Sequence, residues 1–267
     1  ISFSLIYYTI LFIKLFLHLI KKYDWMKKYL FFIFFLLVYN VNAQVDDSDE
    51  KVSISKNKIE IPGYIKLDFG FTFLENADAS LNTDLFPSRS LNLYYSKPFF
   101  LGNNFSINPG IGISNDRLSF SNDVILSEAT NVDGINNIIV DTLDFTPEKN
   151  SLKSTYLILP LDIKYYFGAG KYDKGRFFIG VGGEIGLHLN SSTKVKQKIN
   201  NRVNHTKIKK DFGINDLKYG VSLSLGVGNF NLYYKKYLSN LFEDSSLPQH
   251  ITRNPTVNKI GITFSLF

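Results

Sequence analysis

From Gly63 to the end of the chain, apolar and polar residues alternate with a period of two, which is the spacing of a strand with two unlike faces. In Ile65-Lys66-Leu67-Asp68-Phe69-Gly70-Phe71-Thr72-Phe73 every odd position is large and apolar. The pattern returns in Leu91–Tyr95 and in Phe105–Ser114. It returns again over Tyr156–Phe167, where Leu157, Leu159, Leu161, Ile163, Tyr165 and Phe167 share a face. In Phe177–Leu189 the matching face holds Phe177, Ile179, Val181, Ile185, Leu187 and Leu189. Tyr219–Leu225 and Phe230–Tyr234 read as a hairpin across Gly226–Asn229, and Ile260–Phe267 is the last strand. That predicts eight strands, an even number.

The connections alternate between long and short. The long ones are Asn76–Arg89, Ser119–Ser154, Asn190–Leu217 and Ser239–Asn258; the short ones are Pro98–Asn104, Gly168–Gly175 and Gly226–Asn229. Long loops at one end and tight turns at the other are the pattern of an outer-membrane barrel. A soluble β-sandwich alternates in the same way. The small face here is rich in glycine (Gly70, Gly110, Gly112, Gly180, Gly182, Gly186, Gly220), which suits a crowded lumen. The large face is Phe, Leu, Ile and Tyr, which suits lipid. Tyr64, Tyr94, Tyr95, Tyr165, Tyr166, Phe177, Tyr233 and Tyr234 are placed to form interfacial girdles. The expected fold is all-β, an eight-stranded antiparallel up-and-down transmembrane β-barrel, with a signal segment before it.

The N-terminal part has another character. Met26-Lys27-Lys28, the apolar run Tyr29–Val38 and the junction Val41-Asn42-Ala43-Gln44 read as a basic region, a hydrophobic region and a cleavage site. Met26 is the only methionine, so residues 1–25 read as upstream sequence; the alternative is an anchor helix over Ile1–Ile20. The expected division is 1–25 extension, 26–43 signal peptide, 44–62 acidic periplasmic lead-in and 63–267 barrel. The formal charge of +6 belongs mostly to the leader. Residues 1–43 hold five of the 30 basic residues and one of the 24 acidic ones, which leaves 25 against 23, a net +2. Nucleic-acid binding loses its basis with that charge. The 267 residues include no Cys, which excludes disulfides, thiolate metal sites and cysteine nucleophiles.

Parity places Lys66, Asp68, Asp162, Lys164, Glu184, His188, Lys218 and Lys235 in the lumen, where charges of both signs must pair. The expectation is an internal plug, with a narrow pore or ligand niche as the alternative. A second candidate is the basic outer loop with Lys194, Lys196, Lys198, Arg202, Lys207, Lys209 and Lys210, suited to lipopolysaccharide phosphates or simply solvated. A third reading is a rim hydrolase or acyltransferase using His188, His205 or His250 with Asp211, Asp216, Asp244 or Ser245, although no nucleophile motif announces one. The mature histidines are far apart in sequence, so neither a metal nor a cofactor is expected. Gly182-Gly183 and Gly168-Ala169-Gly170 precede no helix, which argues against a phosphate loop.

Tyr156-Leu157-Ile158-Leu159-Pro160-Leu161-Asp162-Ile163-Lys164-Tyr165-Tyr166-Phe167, followed by Phe178-Ile179-Gly180-Val181-Gly182-Gly183-Glu184, resembles the PorT-like outer-membrane β-barrel family of Bacteroidota. The Ala43-Gln44 junction resembles leaders of that phylum. The ending with Gly261, Phe264 and Leu266 resembles the signal read by the barrel-assembly machinery, with Phe267 one residue further. The resemblance implies an outer-membrane location and no shared substrate; only some members are tied to secretion or gliding. The expected function is a non-enzymatic envelope scaffold or accessory of a larger complex. Its expected partners are outer-membrane lipid, the assembly machinery and lipopolysaccharide or another envelope protein. Cleavage after Ala43 predicts that sequencing of the exported protein starts at Gln44; a start upstream of it overturns the signal-peptide assignment.

Overall fold

The computed structural model describes residues 63–130, 136–145, 147–168, 175–199, 202–248 and 251–266. Residues 1–62, His250 and Phe267 lie outside them, and with them the expected extension, signal peptide and lead-in. The strands are β1 (Tyr64–Glu75), β2 (Arg89–Ser96), β3 (Phe99–Leu101), β4 (Phe105–Ser119), β5 (Val124–Thr130), β6 (Asn136–Thr142), β7 (Lys149–Tyr166), β8 (Phe177–Ile199), β9 (Arg202–Lys209), β10 (Leu217–Val227), β11 (Phe230–Asn240) and β12 (Thr256–Leu266).

Eight of these close a barrel. The order β10-β11-β12-β1-β2-β4-β7-β8 returns on itself through β8 and β10, every neighbour being antiparallel. Closure follows from the environment: a sheet in hydrocarbon cannot leave an edge of unpaired amides. The outward faces are apolar, with Leu93, Leu161, Leu223 and Leu232 each about half exposed (54%, 48%, 56% and 54%). The inward faces are polar, and Asp68, Asn92, Ser106 and Ser114 are wholly buried. The turns between β2 and β4, β7 and β8, and β10 and β11 lie at the end where β1 begins. The last is a two-residue turn that needs the left-handed Gly228 (φ 57°). Arg176 ties this end together: it donates to the Asn103, Tyr166 and Phe167 carbonyls at 2.8, 2.9 and 3.2 Å.

The other end departs from expectation. The segments read as long loops carry secondary structure. β7 begins at Lys149 and β8 continues to Ile199, so both rise well beyond the barrel; β9 pairs with the upper part of β8 from Ser192↔Lys209 to Ile199↔Arg202. β5 and β6 form a separate hairpin. A bulge at Leu189 of β8 marks the transition, since the consecutive Thr155 and Tyr156 of β7 pair with Asn190 and His188. Above it the amphipathicity reverses. Leu152, Val195 and Thr193 are buried, while Lys153, Lys194 and Lys207 are exposed. Leu152 joins Leu81, Leu118, Phe120, Val124, Leu126, Ile138, Phe212, Ile214, Leu241, Phe242, Ile251 and Val257 in one apolar core over the barrel mouth. Alternation continued through this region, but the water-facing side became the polar one, so a reading that looked only for apolar outward positions ended the strands too early.

This cap has its own polar ties. The Phe212 amide donates to Glu128 Oε2 at 3.0 Å, and Ser191 Oγ donates to the Lys210 and Asp211 carbonyls at 2.6 and 2.8 Å. Asn254 Nδ2 donates to the Phe242 carbonyl at 2.8 Å. Phe242 is 1% exposed, and Phe242→Ala is expected to cost the cap about 3–5 kcal/mol. Protease added to whole cells then cuts the surface segments, while the barrel keeps its folded, heat-modifiable gel mobility. Unchanged cleavage would mean that the apolar core does not hold the cap.

Candidate functional site

The lumen is built by parity. Every second residue of each strand projects inward, and the register brings distant residues to the same level. Lys66, Asp68, Lys164, Glu184, Lys218 and Lys235 are all buried on the inner face, with relative exposures of 7% or less, and Asp162 is partly buried there.

At mid-barrel, Lys235 Nζ lies 3.0 Å from Asp68 Oδ2 and 2.7 Å from Glu184 Oε2, joining β11 to β1 and β8. Asp68 also accepts from Thr263 Oγ1 (2.7 Å), Tyr94 OH (3.2 Å) and Asn92 Nδ2 (3.2 Å). Tyr237 OH donates to Glu184 Oε1 at 2.5 Å. Nearer the cap, Asp116 Oδ2 and Oδ1 meet Lys218 Nζ at 2.8 Å and Lys259 Nζ at 2.5 Å. Lys218 stands over the rings of Tyr156 (3.7 Å) and Tyr237 (4.5 Å). Toward the turn end, Lys164 lies 4.0 Å over Phe178 and Lys66 5.7 Å over Tyr94. Ser222 Oγ donates to Asp162 Oδ1 at 3.4 Å. A Cβ on Gly182 would collide with the Asp162 carboxylate and the Ser222 hydroxyl, so the glycine is what makes room for this contact.

The network leaves little space. The mid-barrel cavity bounded by Asp68, Asp162, Glu184 and Lys235 measures about 20 Å³, and the one beside Lys66 and Lys164 about 30 Å³. Each has room for about one water. Asp116, Lys259, Tyr156 and Tyr237 belong to this lumen and were not among the residues expected there. Two further steps of the same alternation, Ser114 to Asp116 and Gly261 to Lys259, were the signal that would have found the two charged ones. Tyr64, Tyr94, Tyr166 and Tyr233, expected in the interfacial girdles, also turn inward, because they share the parity of Lys66, Asn92, Lys164 and Lys235 on their strands.

His188 sits above the network with its side chain 5% exposed. Its Nδ1 lies 3.1 Å from Asp211 Oδ1, and its ring is 5.5 Å from Tyr156. Its Nε2 has no partner among the described residues. His205 faces solvent on β9 opposite Lys196, eight residues along β8 from His188, roughly 26 Å at strand rise. The two histidines therefore do not share a site, and Asp244 pairs with Asn254 elsewhere in the cap. Among the described residues no group of three or more His, Asp or Glu is arranged to hold a metal ion.

The basic segment is a β-hairpin and not a loop. Lys194, Lys198, Lys207, Lys209 and Lys210 are exposed, and Lys194 lies directly opposite Lys207. Lys196 pairs with Glu148 at 2.5 Å, and this hydrogen bond holds the Glu148 carboxyl below its usual range. Arg202 begins β9, and its side chain is outside the described residues.

Residues 42–243 match the family described as outer membrane protein beta-barrel domain, and the chain belongs to that family. No curated protein matches. Among solved structures, the chain is similar to Ail, the attachment invasion locus protein of Yersinia pestis, crystallised with the heparin analogue sucrose octasulfate. The identity is 14% and the TM-score 0.32, over 77% of this chain and 100% of that one. It is also similar to a mutant of the Rh. blastica porin, at 11% identity and TM-score 0.19, over 76% of this chain and 99% of that one. The protein is an outer-membrane β-barrel.

Removing one member of a buried ion pair strands the other charge, at a cost of about 3–5 kcal/mol. Lys235→Met should therefore lower the urea midpoint of the reconstituted barrel sharply, and adding Glu184→Gln and Asp68→Asn should restore much of it. Equal midpoints for wild type and Lys235→Met would show that the network contributes nothing to stability.

Proposed function

We propose that this outer-membrane barrel is a non-conducting, non-enzymatic envelope scaffold, exposing its capped outer end as the working surface. The observation that carries this reading is the filled lumen. Two ionic clusters cross the bore, with a cavity of about 20 Å³ at the middle one, and the apolar core around Phe212 and Phe242 lies over the mouth. A hydrated ion entering would have to break buried ion pairs one after another. The cap and the β8–β9 hairpin are ordered elements on the end that faces out of the cell, and rigidly displayed surface elements are where recognition is placed on such scaffolds.

On this reading the chain is exported by a signal peptide over 26–43, and the Leu157–Gly186 pattern favours a PorT-like role as an accessory of a larger envelope complex. Purified protein in planar bilayers should give no steady steps of porin size at either polarity. Reproducible steps of that size would make the small-pore alternative the correct one. Crosslinking in native membranes should recover an envelope protein joined through the cap or hairpin.

A further inference from the structure

The charges on the outer wall are distributed unevenly around the barrel. On the β1/β11/β12 side the rim cation Lys236 is neutralised by Glu75 at 2.8 Å. On the opposite side Arg89 of β2, Arg117 of β4 and Lys153 of β7 stand side by side on adjacent strands, in register as Arg89↔Arg117 and Arg117↔Lys153. Parity turns all three outward, in line with Leu91, Ile113 and Leu157. Among the described residues none of the three has a carboxylate within ion-pair distance, and the shielded Nε and Nη2 of Arg117 have no hydrogen-bond partner. Like charges directly opposite one another destabilise a sheet. Lys209 of β9 stands level with this row, opposite Ser192, the partner of Lys153, and above it the same outward face continues through the Lys194↔Lys207 pair.

Height along the wall identifies what this row meets. Ile113 and Leu157 are paired at the top of the apolar band, the next pair is Asn115 with Thr155, and the one after it is Arg117 with Lys153. The cations therefore stand one pair beyond the acyl layer, at the depth of the headgroups of the outer leaflet. Beside them Phe86 is 77% exposed, its ring edge-on to Phe71 at 5.7 Å, and Leu85 is also exposed. Cations just above an apolar wall, next to projecting apolar side chains, fit an anion that carries acyl chains better than one free in water. Guanidinium groups also match phosphate oxygens in a fork geometry.

We infer that Arg89, Arg117 and Lys153 form a binding site for the phosphate of an outer-leaflet lipid, with its acyl chains along Leu91, Ile113 and Leu157 and the hairpin lysines extending the cationic surface above. The site lies outside the lumen and does not depend on whether the bore conducts.

The test uses the full-length protein in a zwitterionic detergent, titrated with bisphosphorylated lipid A, with the same lipid after dephosphorylation, with inorganic phosphate and with a soluble sulfated polysaccharide. Lipid A should bind, more weakly as salt rises. Arg117→Gln with Arg89→Gln should weaken binding about tenfold or more, as loss of charge-assisted contacts does. Lys198→Gln, near the hairpin tip, should change it less than about twofold, since a charge that distant is screened. Heat-modifiable mobility checks folding, and Lys153→Gln alone, at an exposed position, serves if the double variant does not fold. Equal binding of the dephosphorylated lipid, inorganic phosphate binding as tightly as lipid A, or a sulfated polysaccharide that binds more tightly and is indifferent to Arg117→Gln would each overturn the inference.

Discussion

Hydrocarbon offers a backbone no water, so each amide and carbonyl that crosses the bilayer must find a partner in the protein itself. In strands that partner lies on the next strand, and the sheet is satisfied only when its last strand meets its first. Here that pairing is β12 with β1, in register from Ile65↔Leu266 to Glu75↔Thr256, and with it none of the eight strands has a free edge. Everything inside follows from closure. Eight strands enclose a bore that side chains can fill, and alternation sends every second side chain into it. The bore must then solve a problem of its own, because charged groups taken from water need partners. The Lys235 and Asp116 clusters are that solution, and they tie β1, β4, β8, β10, β11 and β12 together from within. Because a one-residue slip would reverse every side chain, the ion pairs and the lipid-facing leucines specify the same register.

The same strands pass through two solvents, and their polarity follows. Within the bilayer the apolar face is outward. Above the bulge at Leu189, β7 and β8 run on into water, and Leu152 and Ile208 turn their apolar surface in against the cap while the lysines turn out. The result is a polar bore roofed by an apolar core. Arg89, Arg117 and Lys153 stand at the seam where the reversal occurs, which is the depth at which lipid phosphates lie. One feature of the wall, its change of polarity with height, thus accounts for the closed mouth and for the position of the cationic row.

Strand number, alternating connection lengths, the aliphatic outward residues and the lumen placement of Lys66, Asp68, Lys164, Glu184, Lys218 and Lys235 were legible from the chain, whereas Tyr94 and Tyr233 were assigned to the outer girdles against their parity. Each is a consequence of period two, and period two is local. Asp116 and Lys259 were missed for a related reason: alternation was followed only while the outward positions stayed apolar, and both lie just beyond that limit. The β8–β9 hairpin was read as a loop because its outward face is lysine, and a lysine-rich stretch with scattered apolar residues looks like solvated chain until its buried side is known.

Local alternation tells which side chains share a face, since that depends only on neighbours two apart, and the glycine-rich small face, the bulky apolar face and the alternating connection lengths turn it into a membrane barrel. It does not establish that Lys235 of β11 reaches both Asp68 of β1 and Glu184 of β8, that Phe212 and Phe242 meet in one roof, or that Arg89, Arg117 and Lys153 form a row. Those contacts join residues tens to well over a hundred positions apart. They depend on the register in which the sheet closes, and register is a property of the assembled barrel.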